Sequence, residues 1–329
     1  MTAPLYITKE RISSLLPMTE CIPLMETMFR DLAHGKTLQP LRSLMRLPGH
    51  SGLLGMMPAY AEDPGVIGIK IITVFHGNGA VGYPSHQGVV MLFDGRHGQP
   101  LMLFDAEEIT AIRTAAASAV ATRLLAKEDA AHLAILGTGE QAERHIEAIG
   151  LVRNIERISL WGRNTAHAEA LLNKMARRYD IPIRRCDTAQ AAVATADIIC
   201  TVTASREPIL YGAWIPEGAH INAVGSCTPA TRELDTAAVV HASLFTDRYE
   251  SLFHEAGEFL IPKKEGFLTE TDVRGELGEV LTGTKQGRRD AAEITLFKSL
   301  GSSAFSAGPS ARLCLARPSG FRHIFEKLK

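Results

Sequence analysis

The sequence has little of what marks secreted, membrane-spanning or nucleic-acid-binding proteins. Its five cysteines are odd in number and form no CxxC pair, which argues against a disulfide framework and a zinc knuckle. No apolar run approaches the roughly 18 to 20 residues that span a bilayer. The balance of 35 basic and 36 acidic residues creates no overall field toward nucleic acid or a membrane surface. We therefore expect a cytoplasmic protein with no metal centre and without nucleic-acid or membrane partners.

Length and composition predict a globular protein with two domains. A chain of 329 residues is too long for one ordinary core and too short for three. Hydrophobic residues make up 46% and charged residues 22%, a balance that leaves little room for extended disorder.

The first hundred residues combine a helix with a series of short strands. Thr19 is expected to cap an amphipathic helix that runs through Ile22 and Phe29 and stops at Gly35. Short apolar runs separated by Gly, Pro, Asn and Asp follow Pro40, namely LRSLMRLP, GLLGMMPAY, VIGIKIITVFHG, QGVVMLFDG and QPLMLFD. This pattern predicts a mainly antiparallel sheet with hairpin turns, and the region as a whole forms an α+β layer.

The pattern changes after about residue 107. The stretch EEITAIRTAAASAVATRLLA is alanine-rich and free of Gly and Pro, so it is expected to form one long connecting helix. Beyond it, strand patterns alternate with helix patterns from AHLAILG to AHINAVG. That alternation predicts parallel strands with crossover helices, which is a doubly wound α/β sheet. The later segment EITLFKSLG is expected to return to the first domain.

The first strand of this alternation leads into a glycine-rich turn. It has the form GxGxxA and is followed at once by a helix; its residues are Gly137, Thr138, Gly139, Glu140, Gln141 and Ala142. The first glycine permits a tight turn, the second lets backbone amides approach a pyrophosphate, and the alanine keeps the helix close to the strand. The helix amino terminus supplies N–H groups and a partial positive charge. We interpret this unit as a binding site for a nicotinamide dinucleotide.

The end of the second strand bears on which dinucleotide is bound. An NAD-specific site usually has Asp or Glu there to bind the ribose 2′-hydroxyl, whereas this strand is followed by Gly162, Arg163 and Asn164. A guanidinium pairs well with a 2′-phosphate, so NADP(H) is favoured. If Arg163 instead stacks on adenine from a solvated loop, either NADP(H) or NAD(H) fits.

Several stretches of the sequence together resemble the ornithine cyclodeaminase/mu-crystallin family. They cover most of residues 36–301 in the order QPLRSLMRLP, GIKIITVF, PSHQGVVMLFDG, ITAIRTAAASAVAT, LGTGEQAERH, REPIL, GAHINAVGS, TRELD and EITLFKSLG. The combination of RTAAASAVAT with GTGxQA is specific to this family. The resemblance implies an α+β substrate-binding and dimerisation domain, residues 1–113 plus 302–329. A Rossmann-type domain, residues 114–301, is inserted into it, and the expected assembly is a homodimer.

The resemblance also implies a substrate with an α-amino or α-imino carboxylate. In this family the carboxylate is held by basic residues that correspond here to Arg42, Lys70 and Arg113. A fork of guanidinium and ammonium groups is the usual means of orienting a carboxylate. Lys70 and Arg113 are the candidate catalytic residues, with Lys70 polarising the substrate or donating a proton through water. His86 either makes a hydrogen bond to the substrate or is a turn histidine bonded to the backbone.

One departure from the family pattern distinguishes between reactions. Cyclodeaminases carry an Asp after the NAVG strand and a Lys four residues later, where this chain has Cys227 and Thr231. Cyclisation with loss of ammonia needs a carboxylate to move protons, and a thiol is a poor substitute. Imine reduction requires mainly a held carboxylate and an aligned hydride donor. Cys227 either lies near the substrate or is a small packing residue.

Further dinucleotide contacts are expected at the carboxyl ends of the strands. The candidates are Thr114, Thr203, Ala204, Val224, Gly225, Ser226 and Ser299.

The leading functional hypothesis is an NAD(P)H-dependent reductase of a small imino acid. Δ1-Pyrroline-2-carboxylate and Δ1-piperideine-2-carboxylate are the favoured substrates, and each would give an L-amino acid. The alternatives are an ornithine cyclodeaminase-type lyase, another amino-acid dehydrogenase or iminosuccinate reductase, and a ligand-binding protein similar to mu-crystallin.

Overall fold

A computed structural model describes residues 4–75 and 77–301, which fall into two compact units. The first unit contains the described residues up to Arg113 together with Gly301, and the second is Thr114–Leu300. The division falls within the long helix α3 (Ala106–Leu125), which confirms that the alanine-rich stretch is a single helix. The expectation that residues 302–329 complete the first domain lies outside the described residues.

The first unit is built on a seven-stranded sheet. Its strands are β1 (Leu5–Ile7), β2 (Thr37–Leu38), β3 (Ser43–Arg46), β4 (Leu53–Ala61), β5 (Val66–Val74), β6 (His86–Asp94) and β7 (Pro100–Asp105). Their order is β1-β7-β6-β5-β4-β2, and β3 also pairs with β4. All pairs are antiparallel except β1 with β7, as the hairpin pattern predicted.

Two helices precede most of this sheet, α1 (Lys9–Leu15) and α2 (Met18–Ala33). The expected cap at Thr19 is wrong, because α2 already begins at Met18 and its N-cap is Pro17 in an extended conformation. A proline fits that place because it has a fixed φ and does not need to donate a backbone hydrogen bond. The expected stop is found at Gly35, whose φ of 71° follows the last turn.

The two faces of the first sheet differ in exposure. One face of β4 and β5 is largely buried, including the side chains of Met57, Ala59 and Lys70. The opposite face is also apolar but remains half exposed. Its side chains are those of Met56, Pro58, Tyr60, Ile67, Ile69, Ile71, Val89, Met91, Phe93 and Leu103. We call these ten residues the open face.

The second unit is built on an eight-stranded sheet in which neighbouring strands are all parallel. Its strands are β8 (His132–Leu136), β9 (Arg157–Trp161), β10 (Ile183–Arg185), β11 (Ile198–Thr201), β12 (His220–Ala223), β13 (Ser243–Thr246), β14 (Val273–Glu276) and β15 (Thr295–Lys298). Their order is β10-β9-β8-β11-β12-β15-β13-β14. Strands β8, β11, β12 and β15 are buried along their whole length, as expected where both faces of a parallel sheet are covered.

The segment EITLFKSLG does not return to the first unit. It forms β15, which lies between β12 and β13 inside the parallel sheet, so that expectation is wrong. All four residues of β15 are buried, which suits a central strand covered on both faces.

Helices connect the parallel strands. They are α4 (Glu140–Gly150), α5 (Thr165–Ala176), α6 (Ala189–Val193), α7 (Thr236–Val240), α8 (Tyr249–Glu255), α9 (Gly257–Lys264) and α10 (Leu277–Leu281). The chain therefore forms the doubly wound α/β sheet that the alternating pattern predicted.

Candidate active site

The glycine turn lies where the order of the parallel strands reverses. Strands β9 and β10 follow β8 on one side, and the chain then crosses to β11 on the other side. Gly137 has a φ of 134°, and a Cβ on it would lie 2.7 Å from the Val202 carbonyl oxygen. Its N–H donates to the Trp161 carbonyl oxygen at 2.8 Å. The conformation and the close packing both require glycine at this position, and such a reversal is where dinucleotides bind in open α/β sheets.

The second glycine of the turn has open space beside it. Gly139 is the N-cap of α4, and a Cβ on it would meet nothing within 4 Å. The first N–H groups of α4 have no acceptor within the helix. Two buried side-chain oxygens, Gln141 Oε1 and Thr114 Oγ1, have no hydrogen-bond partner in the described part of the chain. Ala142 is fully buried against the sheet. These groups leave room and polar atoms for a diphosphate and its sugars.

The end of β9 lies beside this turn. A Cβ on Gly162 would collide with the Thr138 methyl group, so the two loops are in contact. Arg163 is exposed, and among the described residues it forms no ion pair. Asn164 caps α5, because its Oδ1 accepts a hydrogen bond from the His167 N–H at 3.1 Å. Asn164 therefore has a structural role in addition to the predicted contact with the dinucleotide.

A buried carboxylate that the sequence analysis did not single out joins the next two strand ends. Glu233 Oε1 accepts hydrogen bonds from the Thr203 N–H and hydroxyl, both at 2.7 Å. Its Oε2 accepts from the Thr201 hydroxyl at 2.8 Å and from the Gly225 N–H at 2.7 Å. Two of the predicted dinucleotide contacts, Thr203 and Gly225, are thereby fixed by one side chain.

Glu233 belongs to a larger buried network. Its own N–H donates to Glu258 Oε1 at 3.0 Å, and Glu258 Oε2 lies 3.3 Å from Lys298 Nζ. Lys298 Nζ also donates to the carbonyl oxygens of Ala223, at 3.3 Å, and Ser226. The side chains of Glu233, Glu258 and Lys298 are all fully buried. The network therefore ties the end of β12 to β15 and α9.

Charge and burial shift the pKa values in this network. Burial raises the pKa of the Glu233 carboxyl above its usual value, opposed by hydrogen bonds from Thr203 and by the charge of Lys298. For Lys298, burial alone would lower the pKa, but Glu258 and the neighbouring groups more than offset it and raise the pKa. Lys298 is therefore charged, as a buried ammonium with a carboxylate partner should be.

Cys227 and Ser299 lie beside the same strand ends. Cys227 Sγ is 3.7 Å from the Val224 carbonyl oxygen and 3.8 Å from that of Ser299. The half-buried thiol packs against the core of the second unit, which favours a packing role. The Ser299 N–H donates to the Ala223 carbonyl oxygen at 3.0 Å. Ala204 is exposed just beyond Thr203.

The three predicted carboxylate-binding cations lie in the first unit. Lys70 is on β5, is 5% exposed, and pairs across the sheet with Met57. Arg42 directly precedes β3, whose first residue pairs with Met56, so extending the register by one residue brings Arg42 opposite Met57. On this extension, Arg42 would lie on the face of the sheet that also carries Lys70. Arg113 is buried in α3, and its guanidinium would contact a Cβ placed on Gly301.

The structure does not bring His86 next to Lys70. His86 begins β6 opposite Val74, whereas Lys70 pairs with Val90. This offset of four residues corresponds to roughly 13 Å along the strand. The exposed His86 ring is bonded through Nδ1 to the Ser85 hydroxyl at 2.9 Å. These contacts favour the local turn role over a contact with substrate bound at Lys70.

No helix among the described residues combines the length and the apolar character needed to cross a membrane. No group of three or more His, Cys, Asp or Glu side chains in this part of the chain is placed to hold a metal ion.

A parallel sheet with a glycine turn at its reversal point defines a dinucleotide-binding α/β protein. The sequence model described as the ornithine cyclodeaminase/mu-crystallin family matches residues 3–305. The chain belongs to this family, which confirms the resemblance found from its motifs. Among curated relatives, the ketimine reductase mu-crystallin of Mus musculus is 37% identical over 303 residues, 91% of this chain and 93% of the relative. The Δ1-pyrroline-2-carboxylate reductase of Bacillus cereus is 34% identical over 298 residues, 90% of this chain and 91% of the relative.

Solved structures agree with this assignment and confirm the fold class. One is the Thermococcus litoralis Δ1-pyrroline-2-carboxylate reductase in complex with NADH and L-proline. It has a TM-score of 0.91 and 36% identity, with 94% of this chain and 95% of that chain covered. An archaeal alanine dehydrogenase dimer with bound NAD has a TM-score of 0.90 and 28% identity, with 99% and 97% of the two chains covered.

Proposed function

We propose that this protein is an NAD(P)H-dependent reductase of a small cyclic imino acid, with Δ1-pyrroline-2-carboxylate or Δ1-piperideine-2-carboxylate as substrate and an L-amino acid as product. The observation that carries the proposal is the likeness, over 94% of this chain, to a reductase whose solved complex holds NADH and L-proline. The curated relatives from mouse and Bacillus cereus are also named as imine reductases.

We assign dinucleotide binding to the second unit. The open space at Gly139, the unpartnered oxygens of Thr114 and Gln141, and the glycine required at position 137 all fit a bound diphosphate. Arg163 is exposed at the place where a 2′-phosphate would be recognised, which supports a preference for NADP(H). NAD(H) remains the alternative cofactor, since it is the form in the solved relatives.

We assign binding of the substrate carboxylate to the first unit. Bound NAD(P)H supplies a hydride to the C=N carbon of the substrate. Arg42, Lys70 and Arg113 are assigned to hold the carboxylate, since guanidinium and ammonium groups orient such a group through charge-assisted hydrogen bonds. Burial of Lys70 and Arg113 strengthens their electrostatic effect by excluding water. Lys70 is also assigned to polarise the imine or to deliver a proton through water.

The lyase alternative is disfavoured by the residues after β12. Cys227 replaces the carboxylate that cyclodeamination requires, and its thiol lies against backbone carbonyl oxygens. The Thr231 hydroxyl is within 2.7 Å of the hydroxyls of both Ser226 and Thr228, so its hydrogen bonds stabilise the loop that contains it. No described group in this loop supplies the proton shuttle needed for loss of ammonia.

The proposed assembly is a homodimer that covers the open face of the first unit. Rows of apolar side chains run across this face, for example Pro58, Ile69, Met91 and Leu103 at one level of the sheet. A continuous apolar surface of this kind marks an interface in most proteins. A second copy is the proposed partner because the solved archaeal relative is a dimer.

The proposed location is the cytoplasm. Four cysteines in the described part of the chain, Cys21, Cys186, Cys200 and Cys227, are free thiols, which supports a reducing compartment.

A substrate panel tests the proposal. The purified protein is given NADPH or NADH with cyclic imino acids, with 2-oxo acids plus ammonia, and with iminosuccinate, and nicotinamide absorbance is followed. We expect oxidation of the reduced cofactor with the cyclic imines. With L-ornithine, ammonia release without net absorbance change would instead show the lyase. Binding of dinucleotide and imine without turnover would favour a ligand-binding protein, and either result would overturn the proposal.

A further inference from the structure

The carboxylate of Glu233 adds a second connection between the ends of β11 and β12. The last residues paired in the ladder between these strands are Thr201 and Ala223. Just beyond them, the N–H groups of Val224 and Gly225 still donate to the Thr201 carbonyl oxygen, at 3.0 and 3.2 Å. The Gly225 N–H also donates to Glu233 Oε2, and the Thr203 N–H donates to Glu233 Oε1. One side chain therefore links the two strand ends at residues past the last ladder pair.

Both oxygens of this carboxyl group are engaged by the backbone and by threonine hydroxyls. Oε1 accepts from the Thr203 N–H and hydroxyl, and Oε2 accepts from the Gly225 N–H and the Thr201 hydroxyl. The backbone N–H of Glu233 donates to Glu258, which pairs with Lys298. A fully buried polar group is retained in a fold when its hydrogen bonds are satisfied in this way.

There is no room for another arrangement at Gly225. A Cβ at this position would overlap the Thr203 carbonyl oxygen and would lie 2.6 Å from Glu233 Oε1. The backbone of Gly225 is thus packed directly between Thr203 and the carboxylate. A small displacement of Glu233 would move both strand ends, because nothing between them can yield.

We propose that Glu233 is a positioning residue for dinucleotide binding, which holds the ends of β11 and β12 in the arrangement that receives the cofactor. This inference rests on the proposed function, because it assumes that the cofactor lies along the carboxyl ends of these strands. Glu233 itself is buried beneath them and acts through Thr203 and Gly225. Glu258 and Lys298 support it from β15 and α9.

The substitution Glu233→Gln tests this role at nearly constant volume. A glutamine has one carbonyl oxygen and one NH2 group, whereas both oxygens of Glu233 accept backbone N–H groups. Whichever way the amide is turned, its NH2 group faces the N–H of either Thr203 or Gly225. One strand end must then move away.

A milder variant and a matched control complete the design. Thr201→Val removes only the hydroxyl that donates to Glu233 Oε2 and leaves the carboxylate in place. Asp197→Asn is the control at the opposite, amino-terminal edge of the same sheet. Asp197 Oδ2 accepts the N–H groups of Ala131 and His132 at 3.1 Å and 2.9 Å. Like Glu233, Asp197 accepts two backbone N–H groups, so its loss should affect stability. It lies away from the edge of the sheet where the cofactor is proposed to bind.

The measurements are the Kd for NADPH and NADH by nicotinamide fluorescence, the Tm, and KM and kcat for each variant. We expect Glu233→Gln to raise the dinucleotide Kd and KM about tenfold or more with a smaller change in kcat, and Thr201→Val to raise Kd about threefold. Asp197→Asn should lower the Tm and leave Kd within about twofold of the wild-type value.

The possible results separate this inference from the proposed function. If the wild-type protein binds a dinucleotide but reduces no imine, and Glu233→Gln still weakens binding, the inference stands and the proposed function fails. If Glu233→Gln folds and binds as tightly as wild type, the inference fails alone. If Glu233→Gln does not fold, an unchanged Kd in Thr201→Val overturns it. A wild-type protein that binds neither dinucleotide overturns both.

Discussion

The parallel sheet of the second unit is buried on both faces, whereas the antiparallel sheet of the first unit leaves one apolar face half exposed. In the second unit the buried charges near the strand ends are matched within the unit, as Lys298 is by Glu258. In the first unit, the described residues leave the open face half exposed. The difference agrees with the proposal that the second unit binds the dinucleotide at its sheet edge and that the open face of the first unit meets a second copy of the chain.

We expect the largest effect from a charged substitution in the open face. Ile69→Asp places a charge in the middle row of that face, between Pro58 and Met91. In a two-fold dimer the charge is buried twice, at about 2 kcal/mol each, which weakens the dimer about a thousandfold. Sedimentation velocity should show a monomer at concentrations where wild type is dimeric.

The control for this change is Val81→Asp. Val81 is 68% exposed and lies outside the open face, so the charge there should leave the dimer intact. A monomeric wild-type protein, or an Ile69→Asp variant that stays dimeric, would show that the open face is not the interface.

The next effect is on the sheet edge of the second unit. In Gly137→Val, the valine would have to adopt a φ of 134°, and its Cβ would lie 2.7 Å from the Val202 carbonyl oxygen. Strain and displacement of the turn should weaken dinucleotide binding about a hundredfold, or about 3 kcal/mol. Calorimetric titration with NADPH measures the dissociation constant of each variant.

Gly150→Ala is the matched control in the same βα unit. A Cβ at Gly150 meets nothing within 4 Å, and this residue ends α4. Binding in this variant should equal that of wild type. Equal affinities of Gly137→Val and Gly150→Ala would place the dinucleotide elsewhere.

A third, smaller effect concerns a buried histidine of the second unit. Burial lowers the pKa of His145 to about 4, against a hydrogen bond to the Gln141 carbonyl oxygen that raises it. The ring is neutral in the fold, with Nδ1 donating to Gln141 and Nε2 accepting from the Ser118 hydroxyl. Below about pH 6.5, the ordinary pKa of histidine, His145 gains a proton in the unfolded chain but stays neutral in the folded protein. Stability should therefore fall by about 2 kcal/mol between about pH 6.5 and pH 5.

The variant His145→Gln isolates this contribution because glutamine does not titrate. Urea unfolding at about pH 7.5 and pH 5 gives the free energy of unfolding of both proteins. The loss on acidification should be about 2 kcal/mol smaller in the variant. Equal losses in the two proteins would mean that His145 is protonated in the fold.

The smallest effect is on cofactor choice. Arg163→Glu removes the guanidinium at the end of β9 and introduces a carboxylate suited to a ribose 2′-hydroxyl. The ratio of kcat/KM for NADPH over NADH should fall about tenfold or more, or about 1.4 kcal/mol. Arg177→Glu, an exposed arginine at the far end of α5, is the control and should leave the ratio unchanged. An unchanged ratio in Arg163→Glu would remove the argument for NADP(H).

Local patterns in the sequence were sufficient for the glycine turn, the long alanine-rich helix and the parallel sheet. Each of these depends on residues that are close in sequence, such as Gly137 and Ala142 or the run over residues 107–126. The family assignment from the motifs was also confirmed. Thr19 was misjudged because a proline cap gives a weaker signal than a threonine.

The buried network of the second unit was missed because its contacts are distant in sequence. Glu233 binds Thr201 and Thr203, and its backbone is held by Glu258. In the sequence these are ordinary charged residues in polar segments. The one available signal was Lys298, a cation inside the apolar run TLFKSL, because a lysine in a buried strand requires a nearby carboxylate.

The most direct test of the proposed reaction follows the hydride itself. NADPH carrying deuterium at both C4 positions is incubated with the protein and Δ1-pyrroline-2-carboxylate, and the proline formed is analysed by mass spectrometry and NMR. The account predicts one deuterium on the α carbon of L-proline for each labelled NADPH oxidised. Proline that forms without the label, or no proline at all while the dinucleotide is bound, would contradict it.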